Sequence, residues 1–212
     1  MAQKERYETP YVGVFKELGA AREALGAAVA DAMKGNTNLV SPSWELPILP
    51  AFKALHIQRI DPAPDGLYDL PGGGGGKQGI KMSFLNALKA ARGVQIVETY
   101  RSDDRSEDCY WQFTCVVAVP DLAGGTIRIE KSRVLDLRKG SPEAAKAAGQ
   151  KNSQAALDQA RTTGPQVCES KAQNRAVREA LVIDAGMAPS AYNRPWIVVK
   201  LVPCIEPSMM SQ

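Results

Sequence analysis

The stretch Cys109–Leu137, CYWQFTCVVAVPDLAGGTIRIEKSRVLDL, decides the fold class. Over Cys109–Val119, side chains alternate so that Trp111, Phe113, Cys115, Val117 and Val119 share one face of an extended strand. Pro120-Asp121-Leu122-Ala123-Gly124-Gly125 then supplies turn chemistry, and Thr126–Leu137 returns with β-branched residues. Val94–Arg101 precedes this pair as a further strand, separated from it by the charged loop Ser102–Asp108. Three sequential strands of this kind predict an antiparallel meander with one buried and one wet face. Helical patterns flank the meander in the chain, which makes the class α+β.

Working outward, Val12–Lys34 places Phe15, Leu18, Leu25, Val29 and Met33 at near-helical spacing, and Gly35-Asn36 is a stop signal. A helix over 13–34 follows. Ser41–Pro50 is punctuated by proline and excludes a long helix. Short strands are expected at Leu55–Ile60 and Gly66–Leu70. The glycine run Gly72–Gly76 reads as a flexible loop, and Lys81–Arg92 as a helix that buries Phe84, Leu85 and Leu88 and stops at Gly93. After the meander, Ser141-Pro142 forms a good helix start. Yet Pro142–Arg161 holds one large apolar residue, Leu157, so 141–162 is expected to be a mobile polar segment or an exposed helix. A basic helix over 168–183 and a last strand at Trp196–Val202 complete the chain. The whole, 1–212, reads as a single domain with its sheet-and-helix core at 55–139.

Composition is that of an ordinary globular protein, 44% apolar and 23% charged over 212 residues. No apolar run approaches the roughly 20 residues that span a bilayer, and no secretory core follows Met1–Arg6, so a cytoplasmic protein without membrane partners is expected. Cys109, Cys115, Cys168 and Cys204 make no C-x-x-C pair and His56 is the single histidine, which argues against a zinc site. Cys115 reads as core and the other cysteines as free thiols. From Thr126 to Arg178, eleven Lys/Arg face five Asp/Glu, a balance of +6; the overall charge is +3, so the rest of the chain carries −3. That asymmetry points to an anionic partner.

Catalytic signatures fail one by one. The glycine run before Lys77 is not a Walker loop, because Pro71 stands where its first glycine belongs and Gln78 follows the lysine. Asp121 with Glu130-Lys131 approaches a Mg²⁺-nuclease pattern, but adjacent Glu and Lys point to opposite faces of a strand, and the turn itself explains Asp121. No G-x-S-x-G elbow is present, and His56 lies within a strand pattern.

The strongest signal is Cys168–Leu181, CESKAQNRAVREAL. On a helical wheel Lys171, Arg175 and Arg178 fall within about 60° of one another, with Ala172, Ala176, Val177, Ala180 and Leu181 on much of the remainder. Stacked like charges repel unless an anion lies over them. Arg128, Lys131, Arg133, Arg138 and Lys139 sit on or just after the third meander strand, and Tyr110 and Trp111 on its neighbour, Trp111 on the apolar face and therefore core. Basic residues with occasional aromatics suit a single nucleic-acid strand.

This order of elements, a helix, a three-stranded meander and the helix ESKAQNRAVREAL, resembles the single-strand annealing proteins of phage recombination, the RecT, Red-beta and Erf group with their Rad-type relatives. The likeness covers about Phe84–Ile183. It implies a non-enzymatic, ATP-independent protein, without cofactor or metal, that binds single-stranded DNA and anneals complementary strands as a homo-oligomeric ring or filament. It further implies a host-cytoplasm location and an exonuclease or single-strand-binding protein as company. Lys171, Arg175 and Arg178 would contact the backbone, helped by Arg128, Lys131 and Arg133. A Mg²⁺-dependent nuclease and a phage structural or adaptor protein remain the alternatives.

Overall fold

Strand formation follows the apolar runs, and the computed structural model describes residues 9–41, 43, 45–70, 76–103, 109–149 and 153–204. In chain order the elements are β1 (Gly13–Phe15), α1 (Leu18–Met33), β2 (Asn38–Val40), β3 (Lys53–Ile60), β4 (Leu67–Asp69), β5 (Gln78–Ile80) and α2 (Met82–Arg92). There follow β6 (Gln95–Arg101), β7 (Tyr110–Pro120), β8 (Thr126–Asp136), α3 (Pro142–Ala148), α4 (Ser153–Ala180), α5 (Pro189–Tyr192) and β9 (Trp196–Pro203). The class is α+β as expected, and its described sheets include the three-strand antiparallel meander packed against α4. None of the described helices is long and apolar enough to cross a membrane. The chain divides into two compact units. One comprises Met1–Val94, Val119–Ile127 and Leu181–Gln212, the other Gln95–Ala118 and Arg128–Ala180.

The first unit is built on a four-stranded sheet in the order β1-β3-β9-β2. β3 and β9 pair antiparallel from Lys53↔Pro203 to Ile60↔Trp196, and β2 runs parallel to β9. Residues Trp196–Val199 are all buried, as befits a strand covered on both faces. On one face Leu55, Ile57, Ile197 and Val199 meet Ala21, Ala24, Leu25 and Ala28 of α1. The other face carries an edge-to-face aromatic cluster, with the Phe84 ring 5.3 Å from Tyr192 and 5.6 Å from Trp196. Leu122, from the β7–β8 turn, is fully buried in the α1 cluster. Arg92 is fully buried as well; its Nη2 donates to the Pro120 carbonyl at 2.5 Å. Burial pushes the Arg92 pKa down to about 10, with the Asp121 carboxylate opposing the shift.

One expectation for this unit changes and another is met. The N-terminal helix starts at Leu18, not at 13, because Gly13–Phe15 pair with Leu55–Ile57 as a strand. The helix Lys81–Arg92 forms as Met82–Arg92, and Gly93 ends it with φ 79°. His56 lies opposite Lys200 in the sheet, and burial followed by that cation holds its pKa below the usual histidine value. Within the Ser41–Pro50 stretch, positions 42 and 44 lie outside the described residues, as do 71–75 of the glycine loop and 104–108 of the charged loop.

The second unit is the meander, ordered β6-β7-β8, with α3 and α4. Residues Thr114–Val117 of β7 are buried without a break, so alternation gives way to two-sided burial at the central strand. On the face away from α4, hydroxyls form a ladder across the three-stranded sheet: Ser102 Oγ to Thr114 Oγ1 at 2.9 Å and Thr114 Oγ1 to Ser132 Oγ at 2.8 Å. Trp111, Leu135, Leu137 and Cys168 make the core on the α4 side, and Trp111 is buried as its alternation indicated.

The largest correction concerns α4. A helix beginning near 168 after a mobile segment was expected; the helix runs from Ser153 to Ala180, through Gly164 and Pro165, and ends short of 183. Pro165 withdraws the amide that would bond the Arg161 carbonyl, at a typical cost of about 3 kcal/mol. Packing offsets it. Any Cβ at Gly164 would lie 2.4 Å from the Trp111 ring, so glycine is what lets that ring lie on the helix. Cys168, Ala172 and Ala176, at four-residue spacing, are fully buried. Small residues thus supply most of the buried face of this helix, with Val177 beside them. Of the forms expected for 141–162, an exposed helix is found at Pro142–Ala148, capped by the Ser141 hydroxyl accepting from the Ala144 amide at 3.1 Å. Positions 150–152 lie outside the described residues.

Candidate nucleic-acid interface

The basic residues are organised by how α4 crosses the meander. The Cys168 thiol donates to the carbonyl of Arg133 on β8 at 3.0 Å and to that of Trp111 on β7 at 3.4 Å. Gln173 reaches the Thr99 hydroxyl on β6 at 3.2 Å, and Arg175 Nη1 reaches the Ser132 carbonyl on β8 at 3.1 Å. Gln173 and Arg175 therefore lie on opposite flanks of the helix. The flank that carries Lys171, Arg175 and Arg178 faces β8, an edge strand of its sheet.

Along this flank Lys171 and Arg175 are exposed and Arg178 is half-buried. Arg178 Nε donates to the Asn174 carbonyl at 3.3 Å. The Arg175 pKa is lowered, first by burial and then by the positive charges of Arg133 and Arg178. Burial is the larger cause, and the two guanidinium neighbours add positive charge between helix and strand. That added charge is the electrostatic condition under which an anion is most welcome.

The six residues singled out from the sequence do not fall together as one set. Lys131 and Arg133, on the helix-facing side of β8, are each met by a carboxylate. Lys131 Nζ lies 3.2 Å from Glu179 Oε1 and Arg133 Nη2 lies 3.7 Å from Glu143 Oε1. Arg133 Nε is buried with no hydrogen-bond partner among the described residues. Arg128 shares the parity of Glu130 and Ser132, which turn toward Tyr100 and Thr114, so strand alternation sets it on the opposite face. Lys171, Lys131, Arg133, Arg175 and Arg178 thus border one seam, and Arg128 lies apart. Arg138 is engaged locally: its guanidinium forks onto Asp136 at 2.9 and 2.7 Å and covers the Tyr110 ring at 4.7 Å. Tyr110 therefore already carries a cation on its face.

The carboxylates are what sequence reasoning missed. Glu179 was legible, since it follows Arg175 by four residues on the same helical face. Glu143 was not, because α3 must fold back against α4 before that side chain can approach β8.

The nuclease pair has other employment. Asp121 Oδ1 accepts from the Leu122 amide at 2.7 Å, and the Asp121 amide donates to the Gly125 carbonyl at 3.0 Å, closing the turn. Glu130 Oε1 takes the Tyr100 hydroxyl at 3.4 Å. Among the described residues no group of three or more His, Cys, Asp or Glu gathers in a way that could hold a metal ion. All four cysteines are free, Cys115 and Cys168 buried and Cys109 and Cys204 half-buried. No family model, curated protein or solved structure matches the chain.

Proposed function

We propose that the protein binds single-stranded DNA along the α4–β8 seam and anneals complementary strands without ATP, as a homo-oligomer acting in recombination. The observation that carries this reading is the Lys171–Arg175–Arg178 flank, set against an edge strand, with the charges of Arg133 and Arg178 gathered around Arg175. A flank of this kind tracks a phosphate backbone while leaving base edges free to pair. Annealing, oligomerisation and a partner exonuclease rest on the likeness to the phage annealing proteins in element order and in the helix ESKAQNRAVREAL.

Anisotropy of a labelled oligonucleotide tests the binding step. Affinity falls steeply with salt for the unaltered protein, and simultaneous Lys171→Ala, Arg175→Ala and Arg178→Ala removes binding with the thermal transition retained. Normal binding by a folded triple variant would refute the site. Complementary strands then report annealing without ATP, and the same labelled DNA stays uncut in Mg²⁺; cleavage would favour the nuclease alternative.

A further inference from the structure

Lys131 and Arg133 border the seam, yet each already faces an anion from the same chain. Glu179 reaches Lys131 from α4, and Glu143 reaches Arg133 from the first turn of α3. The carboxylates remain accessible, with side chains 55% and 36% exposed. The Lys131–Glu179 pair is the more solvent-exposed and so weakly held, whereas in the Arg133–Glu143 pair the guanidinium is half-buried and the contact is long, at 3.7 Å. A phosphate arriving at the seam would therefore meet cations whose present partners are weakly held. Both pairs lie beside Arg175, where Arg133 and Arg178 raise the local positive charge.

We propose that Glu179 and Glu143 are intramolecular stand-ins for phosphate, which occupy Lys131 and Arg133 until a strand displaces them and so set the affinity and salt dependence of DNA binding. This inference rests on the binding reading above. It makes the two glutamates affinity-determining residues and divides the seam into two kinds of cation. Lys171 and Arg175 are exposed and open to the first phosphates, while Lys131 and Arg133 become available only by exchange. Exchange also accounts for the sign of their contribution. A cation handed from carboxylate to phosphate releases fewer counterions than one that starts in solvent, so the unaltered protein shows a shallower salt slope than its basic residues suggest.

The test compares Glu179→Gln, Glu143→Gln and the double variant with Glu130→Gln, by anisotropy of a labelled oligo-dT over a salt series. Glu130→Gln makes the same change in net charge on the same strand as Lys131, but on the other face of the sheet. The expected result is about two- to fivefold tighter binding for each seam variant. In the double variant the log–log salt slope should steepen, because no carboxylate is released to take up a solvent cation when the strand binds. Glu130→Gln should change little, and Lys131→Met in the Glu179→Gln background should cancel the gain. Because Glu143 also sits at a helix start, Glu179→Gln carries the test if Glu143→Gln unfolds α3.

Equal gains for Glu130→Gln and the seam variants would overturn the inference in favour of a bulk charge effect. Unaltered slopes in seam variants of a protein that does bind would also overturn it while leaving the binding site standing. If neither the unaltered protein nor any variant binds at low salt, both the inference and the binding reading fall.

Discussion

The two units bury their elements by different chemistry. In the first, large aliphatic and aromatic side chains cover both faces of β9: Ile197 and Val199 toward α1, and Trp196 among Phe84 and Tyr192. In the second, α4 is seated by Gly164, Cys168, Ala172 and Ala176, with the Trp111 ring against Gly164 and Phe113 packed against the cluster that holds Cys168. Small residues bring a helix close to a sheet but bury little area each. They also leave the flanks of the helix free for charge. The seam between this closely seated helix and an edge strand gathers five basic side chains, with Lys171 and Arg175 exposed and Lys131, Arg133 and Arg178 half-buried.

That contrast is most directly broken in the first unit. Ile197→Ala removes buried methyl groups from a strand covered on both sides, and a loss of about 2–5 kcal/mol in urea unfolding is expected. A loss below 1 kcal/mol would mean that β9 is less central than its burial implies. The second unit should respond instead to added volume. Gly164→Val forces a Cβ into the Trp111 ring, and a cost of about 1–3 kcal/mol is expected, read as faster amide exchange along α4. The same variant should weaken oligonucleotide binding, since the flank is positioned by the helix. Ordinary exchange along α4 would show that the close approach is not needed.

The smallest expected effect separates the units by pH. In the first, His56 has a lowered pKa, so between the unfolded value of about 6.5 and the lower folded value the unfolded chain binds the extra proton. The stabilisation associated with neutral His56 is present above that range and is lost as pH falls through it; His56→Gln should flatten this part of the profile. In the second unit Asp103 is one of the carboxylates with a lowered pKa, held first by its hydrogen bonds from Arg101, including Nη2 to Oδ2 at 2.7 Å. Its stabilisation persists above about 3.9 and disappears only as pH drops through the lower folded value. Amide exchange should therefore report a weakening of the first unit on mild acidification, before the Asp103 region responds. Simultaneous loss in both would contradict this ordering.

Much of the architecture was legible because its signals are local. Residues 95–101, 110–120 and 126–136 announce themselves by alternation and turn chemistry, and Gly93 marks the end of α2 through its left-handed backbone. The basic face of α4 is equally local, since helical spacing alone brings Lys171, Arg175 and Arg178 together. The pairing of β9 between β3 and β2 was not legible, because it joins segments more than a hundred residues apart. Nor was the passage of α4 through Gly164-Pro165, where local propensity argues for a break and the Trp111 ring outweighs it.

The sequence by itself determined the class of elements, most of their positions and the cationic face of one helix, because these depend on neighbours within a few residues. Only the tertiary structure decided which of those cations stand open. Lys131 and Arg133 meet Glu179 and Glu143 across elements, and Arg128 turns away with the pleat of its strand. A charge is written in the chain, but its availability depends on what folding brings within about 4 Å of it.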